Sequence, residues 1–231
     1  MVPAPRSLRL LCPVLLSALL AGMPEARAAG ADDGLEEVPD EVFTQAWQHP
    51  GEDLSGFSRI RFQAGGMAYL DPNRARRRSS SVRRGSREYE PSAKDKRAFE
   101  TLFAEEFSER FRSIRGYRIV ADVDPDTLVV RTALVNIDLS AMGDPITNTE
   151  SLELEAQGGA TLIVELYDGA DQTLLARWID ARGVQLAPLG GSVQPSRSNM
   201  VLAGWRRLAG RWAAQVTGRL EALAGVAAPA D

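Results

Sequence analysis

Four phenylalanines spaced four residues apart, Phe99, Phe103, Phe107 and Phe111, constrain this chain more than any other feature. At the period of an α-helix that spacing puts all four rings on one side, with Leu102 and Ile114 beside them. Pro91 precedes Ser92, a good N-cap, and Asp95 three residues on gives the pattern of a capping box. Gly116 supplies the stop. The spacing predicts an amphipathic helix over 92–114 whose aromatic stripe must be buried. A second helix, from about Asn199 to Leu223, carries Val201, Trp205, Leu208, Trp212, Val216 and Leu220 at helical spacing.

The partner for those faces is a set of strands. Phe57–Gln63 reads as the first, continuing to Tyr69 across Gly65-Gly66, with Arg59 and Arg61 opposite in parity to Ile60 and Phe62. Tyr117–Ala121 is short. Thr127–Leu139 is long and β-branched, with Leu128, Val130, Thr132 and Leu134 on one face. Ala160–Tyr167 and Thr173–Ala181 flank Asp168-Gly169-Ala170-Asp171-Gln172, a hairpin turn. Their facing residues would join Ile163, Leu166 and Tyr167 to Leu174, Trp178 and Ile179. The order β-α-β-β-β-β-α predicts an α+β fold: an antiparallel sheet of about four to five strands with two helices on one face. The other face is expected to be open, because Arg131, Glu165 and Arg177 alternate outward.

The N-terminus carries a different signal. Arg6 and Arg9 precede an apolar run from Leu10 through Gly22, and Ala26-Arg27-Ala28 follows as a small-x-small cleavage site. That order defines a secretory signal peptide, cleaved after Ala28. The run is too short for a membrane span, which needs roughly 20 apolar residues. Cys12 lies inside it without the small-residue context of a lipid-attachment site, so no lipid anchor is expected. The mature chain is then free of cysteine and needs no disulfide. Residues 1–28 hold three Arg and one Glu, so processing moves the net charge from −4 to −6. What remains is enough for one good core and too little for two. Residues 29–55 are expected as an extended leader on which Val42–Trp47 has the apolar content to dock. A single α+β domain over 56–224 and a short tail over 225–231 follow.

Arg74, Arg76, Arg77, Arg78, Arg83, Arg84 and Arg87, interleaved with serines, stand out on an acidic protein. The segment 74–90 has too few apolar side chains to offset its ordering entropy, so a mobile loop is expected. Its local positive field suits an anionic headgroup, a phosphorylated glycan or an acidic protein face. It reads equally as a solvated insertion with no partner. Export makes nucleic acid an improbable partner.

Candidates for catalysis are thin. The only histidine, His49, lies in the leader away from any nucleophile. Zinc-protease, nucleophile-elbow, phosphate-loop and dinucleotide motifs do not occur. Asp122, Asp124 and Asp126 mimic a calcium loop, but Thr127 and Ala133 stand where Gly and Glu belong, so a turn is the better reading. Glu105, Glu106 and Glu109 read as a solvated helix face. A carboxylate enzyme built on Asp138 or Asp180 is the rival from another class. A third reading is a small-molecule binder with its pocket between sheet and helices. No cofactor or metal is called for.

Several segments carry a family likeness: Phe57-Ser58-Arg59-Ile60, Leu102-Phe103-Ala104-Glu105-Glu106-Phe107 with Gly116-Tyr117, and Pro125 to Arg131. The hairpin segments Leu162–Asp168 and Leu174–Asp180 and the Trp212 helix also fit. Over most of the mature chain the sequence resembles a family of Gram-negative envelope proteins catalogued as domain of unknown function 3313. The resemblance implies a secreted α+β domain and supplies no activity. Many members look like lipoproteins, a property this chain's N-terminus does not share. The expectation is a non-enzymatic periplasmic binding or accessory module. It would meet an anionic envelope component or another envelope protein through its open sheet face and arginine segment. Its oligomeric state is not legible.

Overall fold

The computed structural model describes residues 33–70, 91–139, 158–184 and 197–226. The segment expected as a signal peptide with its cleavage site at Ala28, the seven arginines of 74–87, residues 185–196 and the end of the tail lie outside the described residues.

Helix α1 spans Ala93–Arg112. Ser92 is its N-cap, and the box closes in both directions: Ser92 Oγ accepts from the Asp95 amide at 3.2 Å, and Asp95 Oδ2 accepts from the Ser92 amide at 3.0 Å. Helix α2 spans Arg197–Leu223. Phe99, Phe103, Phe107 and Phe111 of α1 and Val201, Trp205, Trp212, Val216 and Leu220 of α2 are buried. Each such side chain is worth about 1.5–3 kcal/mol removed from water.

The sheet corrects the sequence expectation. Among the described residues it is mixed and seven-stranded, in the order β1-β2-β7-β6-β5-β3-β4. The strands are β1 (Glu36–Glu37), β2 (Gln45–Gln48), β3 (Arg59–Tyr69), β4 (Arg118–Ile119), β5 (Thr127–Asp138), β6 (Gly159–Asp168) and β7 (Leu174–Gly183). β3 runs parallel to β5 and to β4, while the β5-β6-β7 meander and the β7-β2-β1 pairings are antiparallel. Two physical causes explain the difference. A helix between two neighbouring strands carries the chain back to the end where it started, so the next strand runs the same way. The two additional strands come from the segment expected as leader: β2 pairs with β7, placing Trp47 opposite Arg177 and Ala46 opposite Trp178.

Leu35, Phe43 and Ala46 of that segment are buried, and Phe43 stacks on Trp178 at 5.1 Å. Asp40 accepts from the amides of Val42 and Phe43, and its carboxylate lies 3.2 Å from Arg219 of α2. The segment is therefore sewn to both layers. Both helices cover one sheet face. Phe62 of β3 stacks on Phe111 at 4.2 Å, and Phe99 meets Trp205 edge-on at 4.8 Å. These rings fill the space between sheet and helices. The register shifts between Ala64 and Met67, and Gly65 passes so close to β5 that a Cβ there would lie 2.2 Å from the Thr132 carbonyl oxygen.

Candidate functional site

Strand alternation decides what is displayed on the sheet face that no described helix covers. Leu128, Val130, Thr132 and Leu134 of β5 point to the helices, so Val129, Arg131, Ala133 and Val135 point away. The register aligns one row across five strands: Gln63 on β3, Arg131 on β5, Glu165 on β6, Arg177 on β7 and Trp47 on β2. The next row on that face is Ala133, Ile163, Ile179 and Gln45, followed by Val135, Thr161 and Ala181. Ile163 and Ile179 are half-buried, whereas their core-facing neighbours Leu162, Val164 and Trp178 are sealed.

The polar row is connected by direct contacts. Glu165 accepts from Arg177 Nε at 2.9 Å and from the Tyr167 hydroxyl at 2.8 Å. Arg177 also donates to Asp33 at 2.7 Å. Burial alone would lower the Arg177 pKa; its hydrogen bonds to Glu165 and Asp33 outweigh that and raise it. Burial, with help from the hydrogen bond to Glu165, pushes the Tyr167 phenol up to about 12. Arg131 lies over the Tyr167 ring, 4.2 Å from its centroid. Its Nε donates to Gln63 Oε1 and its Nη2 to Gln172 Oε1, both at 2.9 Å.

The other sequence candidates fall elsewhere. Asp124 and Asp126 both engage Arg59, and Ser58 donates to Asp126 at 2.8 Å, so this acidic run is a turn tied to β3. Glu105 and Glu106 face Arg206 of α2 at 3.4 and 3.6 Å, linking the two helices. Asp138 and Asp180 are not brought together: Asp138 pairs with Gly159 and Asp180 with Leu162, three residues further along β6. Asp180 is buried and accepts from Trp212 Nε1 and Thr44 Oγ1, both at 2.7 Å, and from Arg182. His49 sits beside Glu52 at 4.0 Å, where its backbone amide also bonds to Leu175. An open groove of about 680 Å³ runs on the outer side of the helix pair, lined by Leu102, Leu202, Arg97 and Arg206 among others. It is not the pocket between sheet and helices that a buried small ligand would need.

Sequence reading identified the outward parity of Arg131, Glu165 and Arg177. It missed Gln63, Tyr167, Gln172 and Asp33, which join them only through cross-strand register. The signal for two of these was present in the parity of β3 and β6.

No family model matches the chain, and no curated protein matches it in sequence. Among solved structures it is similar to a variant of the PelC dodecamer from Paraburkholderia phytofirmans. The identity is 12%, the match covers 72% of this chain and 94% of that one, and the TM-score is 0.28. A second crystal form of the PelC dodecamer matches at 11% identity with the same coverage and a TM-score of 0.27. The likeness is distant. It carries no argument about fold or function.

Among the described residues, no helix is long and apolar enough to cross a membrane.

Proposed function

We propose that the chain is exported to the periplasm, processed after Ala28, and acts there as a non-catalytic binding or accessory module. Its open sheet face docks against another component of the envelope. The observation that carries this reading is the composition of that face. Half-buried Ile163 and Ile179 lie beside the ordered row Gln63, Arg131, Glu165, Arg177, while helices cover the opposite face. An apolar centre rimmed by fixed polar groups is the anatomy of a protein docking surface. Two of the carboxylates considered for catalysis are engaged elsewhere, Asp180 by Trp212 and Glu105 by Arg206. The basic n-region, apolar run and Ala26-Arg27-Ala28 site support export. On this reading the arginines of 74–87 add electrostatic attraction toward an anionic component.

Site-specific photo-crosslinking in cells tests it. A photoreactive residue at position 163 or 181 is expected to capture an envelope component, and the same residue at 109 or 211, on the exposed helix layer, is not. Adducts confined to 109 and 211, or none at 163 and 181, would overturn the reading.

A further inference from the structure

The charges along the open face are not evenly compensated. Arg177 is held by two carboxylates, Asp33 and Glu165. Arg59 is held by two more, Asp124 and Asp126. Arg131 sits between these pairs in the same sheet, yet its hydrogen-bond acceptors are the neutral side-chain oxygens of Gln63 and Gln172. Its guanidinium is thus fixed in place, and among the described residues no carboxylate forms an ion pair with it, although Glu165 stands opposite in the register. Tyr167 supports it from below, its ring centroid 4.2 Å away.

The geometry that holds Arg131 is specific. Gln172 closes the β6–β7 turn with a left-handed backbone, φ +63°, which a non-glycine residue seldom adopts. Its amide nitrogen donates to the carbonyl oxygens of Asp168 and Gly169 at 3.2 and 3.5 Å. Those bonds fix the amide so that its oxygen meets Arg131. Arg61 adds a second cation. It lies two residues before Gln63 on β3, on the same face, opposite Val129 and diagonal to Arg131. It has no partner among the described residues.

From this arrangement we infer that Arg131, with Arg61 beside it, is a preorganised site for a small oxyanion of the carboxylate or phosphate class. A planar guanidinium presents paired donors that match both groups bidentately. Its hydrogen-bond acceptors are neutral, and the nearest carboxylate in the register, Glu165, is already engaged by Arg177. An extended anionic membrane is the poorer ligand, because it would also face Glu165, opposite Arg131 in the register, and Asp168 at the end of the same strand. A single oxyanion, free or borne on a soluble partner, meets Arg131 without facing both of them. This inference rests on the open face being the working surface and names the chemistry that face recognises.

The test is a titration of the purified mature chain with inorganic phosphate and, separately, with acetate, followed by NMR of the arginine Nε–H groups. Saturable shifts of the Arg131 signal are expected, together with a tenfold or greater weakening in Arg131→Gln. Gln172→Ala keeps the cation but frees its orientation, and is expected to weaken binding several-fold; its thermal melt reports that the fold persists. Vesicles containing phosphatidylglycerol form the second arm, and binding to them that is lost in Arg131→Gln would overturn the assignment to a small oxyanion. No saturable shift with either anion, or equal shifts in wild type and Arg131→Gln, would overturn the site. Crosslinking at 163 with no anion binding would leave the docking face standing and remove only this inference.

Discussion

Trp212 Nε1 donates a 2.7 Å hydrogen bond to Asp180 Oδ2, and both side chains are buried, the carboxylate at 2% exposure. The bond joins α2 to β7 in the middle of the core. Thr44 brings in the N-terminal segment by donating to the other carboxylate oxygen at 2.7 Å. A sheet, a helix and a segment that sequence composition marks as extended are tied together at one group.

Removing the indole donor therefore has a defined cost. Hydrogen bonds to a charged group contribute about 1.5–3 kcal/mol, and Trp212→Phe is expected to lose about that much. Thr44→Val should cost about 1 kcal/mol, since the carboxylate keeps its other partners. Urea denaturation of each variant checks this, and a Trp212→Phe midpoint at the wild-type value would contradict it.

The two sheet faces should answer substitution differently at adjacent positions. Leu162 is fully sealed, and Leu162→Ala is expected to cost about 2–5 kcal/mol. Ile163, one residue on and facing outward, should tolerate Ile163→Thr for less than about 1 kcal/mol. Comparable losses at both positions would mean that the face is part of the core.

Tyr167 sets an expectation for alkaline pH. Burial and the bond to Glu165 raise its phenol to about 12, above the 10.0 of a free tyrosine. Between those values the unfolded chain releases this proton and the folded chain keeps it. The stability that Tyr167 confers is thus intact below pH 10 and is lost as pH rises through about 12. Ultraviolet titration should show a phenol ionising near the upper value in wild type and absent in Tyr167→Phe.

Gly158 fixes the entry to β6. Its φ is +99°, and a Cβ there would lie 2.4 Å from the Asp138 carbonyl oxygen. Both strain and collision oppose a side chain, so Gly158→Ala should destabilise by more than about 1 kcal/mol. A thermal melt reads this directly, and an unchanged midpoint would contradict it.

How much of this was legible depended on how local the determining physics is. Ser92 and Asp95 announce α1 because a capping box is complete within four residues, and the observed start agrees with it. The parity of β5 was equally clear, because alternation needs only the strand itself; the hairpin was read less well, since Leu166 and Trp178 face the helices while Ile163, Tyr167 and Ile179 face away. The parallel β3–β5 pair was signalled by the intervening helix, a connection that returns the chain to its starting end. It was overridden by the run of strands after α1. β1 and β2 have two and four residues, in a stretch rich in Gly, Pro and acids. Nothing within them marks a strand; Trp47 gains its place from Arg177, far along the chain. The candidate site divides the same way. Arg131, Glu165 and Arg177 could be placed outward from parity, whereas Asp33 reaches Arg177 across 144 residues. No local pattern encodes that meeting.

The central claim, that the open sheet face is covered by a partner in the envelope, is tested most directly by thiol accessibility. The mature chain expected after cleavage at Ala28 contains no cysteine, so Ile163→Cys provides a single reporter. Its maleimide labelling rate is measured in the purified protein and in intact envelopes, with Arg211→Cys on the helix layer as reference. Strong protection of position 163 in envelopes, with no change at 211, is the predicted result; equal labelling of 163 in both preparations would contradict the account.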